Sequence, residues 1–459
     1  PFAATGMIDA PHSPKAPMPL FDQAALNEGV KKREVFGWAL YDFANSGYTT
    51  VVLTAVFNSY FVGVVAGNAD WATLAWTVAL GLSSALVMIV MPALGAYADL
   101  RAAKKRLLAV STVACVAGTA ALALVGPGDL MLAFVAIVLS NFFYAVGESL
   151  AAAFLPELAR RESLGKVSGW GWSFGYFGGM LSLGLCLAYV LWAQGRGRPA
   201  TEFVPVTMLI TAAVYGIASL GTFALLKEHA TPQAAAAGAG AGARGGGVAA
   251  ALQRLHATWR QARRYRDFSW LLASATAYQA GIAVVITLAA VYAEQVLGFA
   301  QTQTMALIFL VNIAAAVGAF GFGYWQDRSG HKRALGVTLI GWVVMTALAF
   351  LAETATLFWF AAVLAGLCMG SSQSAGRALA GLLAPQAQRA EFYGLWAFAT
   401  RLAAILGPMT YGIVTWATAG NHRLAILSTA VFFVAGWVLL RPIDVARGAR
   451  EALRMESEP

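Results

Sequence analysis

The chain has 459 residues, of which 59% are hydrophobic and 12% charged, with a mean hydropathy of +0.66 and a formal net charge of +9. A soluble domain carries roughly twice that charged fraction, so a water-soluble globular protein is excluded. The apolar residues fall in long continuous runs, which excludes a β-barrel of short alternating segments.

In chain order, residues 1–35 contain five prolines and end in Lys31, Lys32 and Arg33, and read as a loose cytoplasmic tail without a cleavable signal. Twelve apolar blocks follow, at 36–66, 72–99, 106–126, 130–155, 167–193, 203–227, 268–296, 302–327, 333–353, 355–383, 391–418 and 422–441. At 1.5 Å per residue, about 20 residues suffice for a helix to cross the hydrocarbon core. The expected fold class is therefore an all-α polytopic membrane protein. A six-helix bundle occupies 36–227 and a second one 268–441, joined by a cytoplasmic linker at 228–267 and followed by a cytoplasmic tail at 442–459.

The linker carries an Ala/Gly run from Ala234 to Gly247, which cannot build a core. A basic stretch from Arg254 to Arg266 interleaves Leu255, Trp259 and Tyr265, and reads as an amphipathic helix on the inner leaflet. With the amino terminus inside, nearly all Lys and Arg fall on the inner loops, while the outer loops carry only Arg196, Arg198 and Arg423. This is the positive-inside pattern, so the basic charge reports topology and not a nucleic-acid partner. Arginine outnumbers lysine 23 to 8, which points to a GC-rich bacterial genome and the inner membrane.

One polar motif occurs twice. Gly95-Ala-Tyr-Ala-Asp99-Leu-Arg101-Ala-Ala-Lys104-Lys105 follows span 2, and Gly323-Tyr-Trp-Gln-Asp327-Arg328-Ser-Gly-His-Lys332-Arg333 follows span 8. Phe154-Leu155-Pro156 and Leu383-Ala384-Pro385 repeat at nearly the same offset, which makes Glu148 and Arg377 equivalent positions. Two six-span halves with the same orientation are parallel repeats about an axis along the membrane normal. Glycine at a span end admits a close helix neighbour, and an aspartate at the membrane edge needs a partner. The partners in view are the basic loop and the amino-terminal end of a helix from the other half. The motif is expected to latch the inner face shut.

A duplicated Gly-x-x-x-Asp motif after spans 2 and 8 of a 6+6 chain resembles the gating motif of the major facilitator superfamily. Trp38-Ala-Leu-Tyr41-Asp42-Phe-Ala-Asn45-Ser46, Phe154-Leu-Pro-Glu157, Ser168-Gly-Trp-Gly-Trp172-Ser-Phe-Gly-Tyr176 and Ala390-Glu391-Phe392-Tyr393-Gly394 look like its Atg22-like (UMF1) branch. The resemblance implies a secondary transporter working by alternating access, with spans 1, 4, 7 and 10 around the cavity. It also implies amino acids as cargo, since the family's yeast namesake is linked to their release from the vacuole.

Ionisable groups within spans are costly and mark functional positions. Asp42 and Asn45 in span 1, Glu148 in span 4, Gln279 in span 7 and Arg377 in span 10 fall at one depth. Arg377 suits a cargo carboxylate; Asp42 or Glu148 suits an ammonium group or a coupling proton. The alternative is a static Glu148–Arg377 pair. Arg401 is a candidate partner for a gating aspartate, and Tyr41, Trp172 and Tyr278 are candidate aromatic contacts. Asn141, Asn312 and Gln373 read as bonds between helices. The glycines Gly171, Gly175 and Gly179 read as a packing stripe.

Cys115, Cys186 and Cys368 lie inside apolar blocks without ligand spacing. No Walker loop, metal cluster or nucleophile–base pairing is present in the sequence, so neither a cofactor nor an enzymatic activity is expected. The chain is expected to export a small zwitterion as a monomer, with protons as possible coupling ions. The rivals are efflux of a larger amphipathic compound, such as a drug or siderophore, and a non-transporting receptor or scaffold.

Overall fold

A computed structural model describes residues 21–67, 69, 71–229, 265–385, 389–418 and 420–454. Twelve described helices are long and apolar enough to cross a membrane. They are α1 (Lys32–Val65), α2 (Ala72–Arg101), α3 (Lys104–Ala121), α4 (Leu130–Ala152), α5 (Leu164–Gln194) and α6 (Ala200–Leu225) in the first bundle. The second bundle contains α7 (Arg266–Leu297), α8 (Gln301–Ser329), α9 (His331–Leu351), α10 (Ala355–Leu383), α11 (Arg389–Ala417) and α12 (His422–Leu440). A short helix, α13 (Val445–Arg454), closes the described chain. The amphipathic helix expected in the linker lies outside the described residues.

The bundles meet along α5–α8, α2–α11, α5–α10 and α1–α7. Small residues set these distances, because lipid tails give helices no hydrophobic drive to associate and close packing must supply it. A Cβ on Gly169 would lie 2.8 Å from the Ala319 carbonyl oxygen and 3.2 Å from the Gly323 Cα. Within the first bundle, the α5 stripe packs on α1: a Cβ on Gly175 would lie 2.9 Å from the Ser46 hydroxyl and 3.1 Å from the Asp42 carbonyl oxygen.

Helix α1 is irregular. It widens to π-helical winding over Tyr48–Ala55 and again over Phe61–Val65, with Val56 N–H donating to the Val51 carbonyl at 2.9 Å. Such stretches are uncommon and concentrate at functional sites. Here the wide turns carry Thr49, Thr50 and Thr54 past the space between the bundles.

The loop lysines cap helix ends within their own bundles. Lys105 Nζ donates to the Leu226 carbonyl at 2.6 Å, and Lys332 Nζ donates to the carbonyls of Arg441 at 2.8 Å and Ile443 at 2.6 Å. An ammonium there meets the negative end of a helix dipole, worth about 0.3–1 kcal/mol at an exposed site. Glu228 caps the start of α3 by accepting from the N–H groups of Lys104 at 2.8 Å and Lys105 at 3.1 Å. The first helix of each bundle also carries an acid that holds the chain after the last: Glu34 contacts His229 at 2.6 Å, and Asp267 accepts from Arg447 at 2.8 and 2.9 Å.

The described part of the tail expected to be loose, from Phe21, packs on the first bundle. Asn27 Nδ2 donates to the carbonyls of Pro156 at 3.0 Å and Glu157 at 2.9 Å, and Arg160 Nε donates to the Leu26 carbonyl at 2.9 Å. Prolines earlier in this tail say nothing about these contacts, two of which use carbonyls left open after α4 and one the Arg160 side chain beyond it.

Candidate functional site

Between the bundles lies a cavity with a charged floor. Asp42 and Asn45 (α1), Glu148 (α4), Trp172 and Tyr176 (α5), Gln373 and Arg377 (α10) face it, and Arg401 (α11) and Gln279 (α7) line its adjoining part. Away from the floor the walls are mostly apolar, with Val285, Ile308, Met345, Phe358 and Met369, interrupted by Thr50, Thr54 and Asn312.

Two ion pairs cross the floor from one bundle to the other. Arg377 Nη1 donates to Asp42 Oδ2 at 3.1 Å, and both side chains are almost fully buried. The Arg377 guanidinium also lies 4.7 Å from the Trp172 ring and 5.6 Å from the Trp38 ring. The second pair joins Arg401 Nη2 to Glu148 Oε2 and is more open, with Glu148 about a quarter exposed. The Glu148–Arg377 pairing expected as one alternative is therefore replaced: each takes another partner. Among the described residues, Arg401 pairs with this cavity carboxylate and not with Asp327. In both pairs the acid belongs to the first bundle and the base to the second.

Gly171 makes the first pair possible. A Cβ there would lie 2.7 Å from Asp42 Oδ2 and 2.6 Å from the Trp38 ring. Gln279 Nε2 donates to Gln373 Oε1 at 2.8 Å, tying α7 to α10 beside the charges. Asn45 is buried and lines the cavity.

Tyr41 and Tyr278 are placed elsewhere. The Tyr41 hydroxyl lies 3.2 Å from the Tyr215 hydroxyl inside the first bundle. Tyr278 packs inside the second, on Gly376 and Gly436. Neither borders the cavity, for a geometric reason: successive helical residues point about 100° apart. Asp42 and Gln279 take the cavity direction, so their preceding neighbours cannot.

The two copies of the polar motif differ in their surroundings. Asp327 faces the N–H and the ammonium of Lys166, at the amino-terminal end of α5 in the other bundle. Gly165 gives it room, since a Cβ there would overlap Asp327 Oδ1 and lie 2.8 Å from the His331 ring. Gly323 sits at the α5–α8 crossing, with Gly169 Cα 3.4 Å from where its Cβ would be. Gln326 Nε2 extends the seam, donating to the Gly165 carbonyl at 3.2 Å and to Ser374 Oγ at 3.0 Å. Gly95 faces open space instead, and the Asp99 side chain lies outside the described residues. Lys104 pairs with Glu157 at 2.6 Å inside its own bundle. Arg101, Arg328 and Arg333 are exposed, with Arg101 lying 5.5 Å from the Tyr97 ring.

On the opposite side of the cavity, Asn58 Nδ2 (α1) donates to the Thr287 carbonyl (α7) at 2.7 Å. The bundles thus touch on both sides of the charged floor.

Residues 58–453 match the family model described as "Vacuole effluxer Atg22 like". The chain belongs to the Atg22-like family of major-facilitator transporters. It is 27% identical to an uncharacterized MFS-type transporter, YxiO, of Bacillus subtilis (strain 168), over 88% of this chain and 93% of that one. It is 25% identical to autophagy-related protein 22-1 of Aspergillus fumigatus over 64% of this chain, but spans only 50% of that protein. Its fold resembles that of the human organic anion transporter MFSD10, with a TM-score of 0.68 and 15% identity over 89% of this chain and 99% of that one. It also resembles the proton:xylose symporter XylE, with a TM-score of 0.67 and 15% identity over 89% and 95%.

In this Atg22-like chain, sequence reasoning did not place Arg401 in the cavity, and it counted Tyr176 among the aromatics near the polar layer without choosing it. The signal for Arg401 was present: an arginine in the middle of a span, which is rarely tolerated without a partner. Tyr176 lies one turn from Trp172, on the same face of α5, and that spacing alone brings it to the cavity.

Proposed function

We propose that this Atg22-like transporter moves a small zwitterion, most simply an amino acid, across the inner membrane of a bacterium. The observation that carries the reading is the pair of acid–base contacts bridging the bundles on the cavity floor. An oppositely charged pair presents one site for a cargo ammonium, at Asp42 or Glu148, and one for a cargo carboxylate, at an arginine. A zwitterion leaves no charge unpaired when it replaces an ion pair, whereas a singly charged cargo replacing the sealed Asp42–Arg377 pair strands one buried group at several kcal/mol; the more open Glu148 is left unpaired at a smaller cost. The basic face is cytoplasmic and holds both termini, the chain acts as a monomer, and the direction is export. Proton coupling would run through Asp42 or Glu148.

Alternating access would break the α5–α8 seam with Asp327 on one face and the Asn58–Thr287 contact on the other. A larger amphipathic cargo is the second reading, favoured by the apolar wall of Val285, Ile308, Met345, Phe358 and Met369.

Counterflow in proteoliposomes tests the proposal. Preloaded vesicles should exchange at least one labelled amino acid, with flux lost in Asp42→Asn and Arg377→Ala. If none of the twenty exchanges, the zwitterion reading fails. A pH-gradient dependence that survives loss of both Asp42 and Glu148 would remove the proton route.

A further inference from the structure

Three buried donors in the cavity wall have no acceptor among the described residues: Arg401 Nε, Trp172 Nε1 and the Tyr176 hydroxyl. Trp172 and Tyr176 stand on one face of α5 with ring centroids 5.9 Å apart. Trp172 lines both parts of the cavity, Tyr176 the part with Asp42 and Glu148, and Arg401 the part with Glu148 and Arg377. Burying a hydrogen-bond donor without a partner costs about 1–3 kcal/mol, and more for a charged group. A wall with surplus donors matches an occupant rich in acceptors.

The charge at this point narrows the chemistry. Arg401 holds Glu148 through Nη2, leaving Nε of the same planar fork unmatched. A carboxylate engages the fork through two parallel bonds, using both nitrogens at once. A phosphate dianion would bring a second negative charge against Glu148, and Asp42 lines the same floor. A monoanionic carboxylate can instead exchange with Glu148 one charge for one.

We propose that Arg401, Trp172 and Tyr176 form a carboxylate subsite, entered when the ligand's carboxylate takes Arg401 from Glu148. The released Glu148 then faces the ligand and is available to a positive group. In this binding step Arg377 keeps Asp42 and its two tryptophan neighbours. This deepens the transport reading, on which it rests, by assigning the cargo's acidic end to α11 and α5.

The test uses the intact chain in detergent and needs no knowledge of the cargo. Linear monocarboxylates from propionate to hexanoate are titrated against their primary amides, with indole fluorescence as the readout. Carboxylates should bind at least tenfold tighter than the matched amides. Arg401→Gln and Trp172→Phe should weaken carboxylate binding by about 10–100-fold, the range for losing a hydrogen bond to a charged group. Glu148→Gln should do the opposite and tighten binding, because it removes the competitor for Arg401. A purely structural Glu148–Arg401 bridge predicts weaker binding or none in both variants, so the sign of the Glu148→Gln effect decides. Equal binding of acids and amides, no binding of any carboxylate, or weaker binding in Glu148→Gln would each overturn the subsite. Flux is measured separately: carboxylate binding with this pattern but no transport of any amino acid would remove the transport reading and leave the subsite standing.

Discussion

The Asp42–Arg377 pair makes a quantitative prediction through a double-mutant cycle. Its atoms are 3.1 Å apart and both side chains are nearly sealed from solvent. At an effective dielectric of about 20, Coulomb attraction at that distance is roughly 5 kcal/mol, offset by the cost of desolvating both ions. Removing one partner leaves the other buried and uncompensated, which costs about 3–5 kcal/mol. Asp42→Asn and Arg377→Met should therefore each lower stability by about 3 kcal/mol, whereas the double variant should lose no more than about 2. The assay is reversible unfolding by SDS titration in mixed micelles, comparing all four proteins. Additivity of the two single losses to within about 0.5 kcal/mol would show that the groups do not interact, and would refute the pairing.

Gly171→Ala should act through that same pair, since its Cβ would meet Trp38 and Asp42 Oδ2; we expect about 1–3 kcal/mol of destabilisation. Gly184→Ala on the same helix meets only Phe309 at 3.6 Å and should change stability by less than about 0.5 kcal/mol, measured by the same titration. Gly165→Ala pushes Asp327, His331 and Gln326 aside, so a cysteine placed at Ser374 should react faster with a maleimide added from the basic face. Unchanged labelling would mean that the seam does not depend on that approach. Lys332→Met removes the cap on the carbonyls of Arg441 and Ile443 and should cost about 1 kcal/mol without altering labelling at position 374. Faster labelling in Lys332→Met would return the lysine to the latch.

The twelve spans were legible because a crossing helix needs a long apolar run, and little else in a chain produces one. The repeat offset singled out Glu148 and Arg377, and both line the cavity. It did not reveal their partners. Which acid meets which base depends on how each helix is rotated within its bundle, and hydropathy in a span that is apolar all round carries no such phase. The choice of Tyr41 beside Asp42 and of Tyr278 beside Gln279 failed for the same reason. Lys105 and Lys332 of the polar motif were legible as loop charges, but their targets are backbone carbonyls just past α6 and α12, and any residue supplies a carbonyl. The π-helical turns of α1 left no mark in the sequence pattern.

The segregation of acids to one bundle and bases to the other bears on how the membrane potential acts. Each pair is formed by direct contact, so its two charges can differ in depth by no more than their short separation. When the bundles part at this layer, the charges separate in the plane of the membrane and traverse almost none of the field. A charge crossing the whole potential would gain about 2.3 kcal/mol per 100 mV, and that coupling is absent for motion along the plane. The rocking step of the empty protein should then be electrically silent. Any voltage dependence of transport would report the charge carried through the membrane by the cargo or by protons.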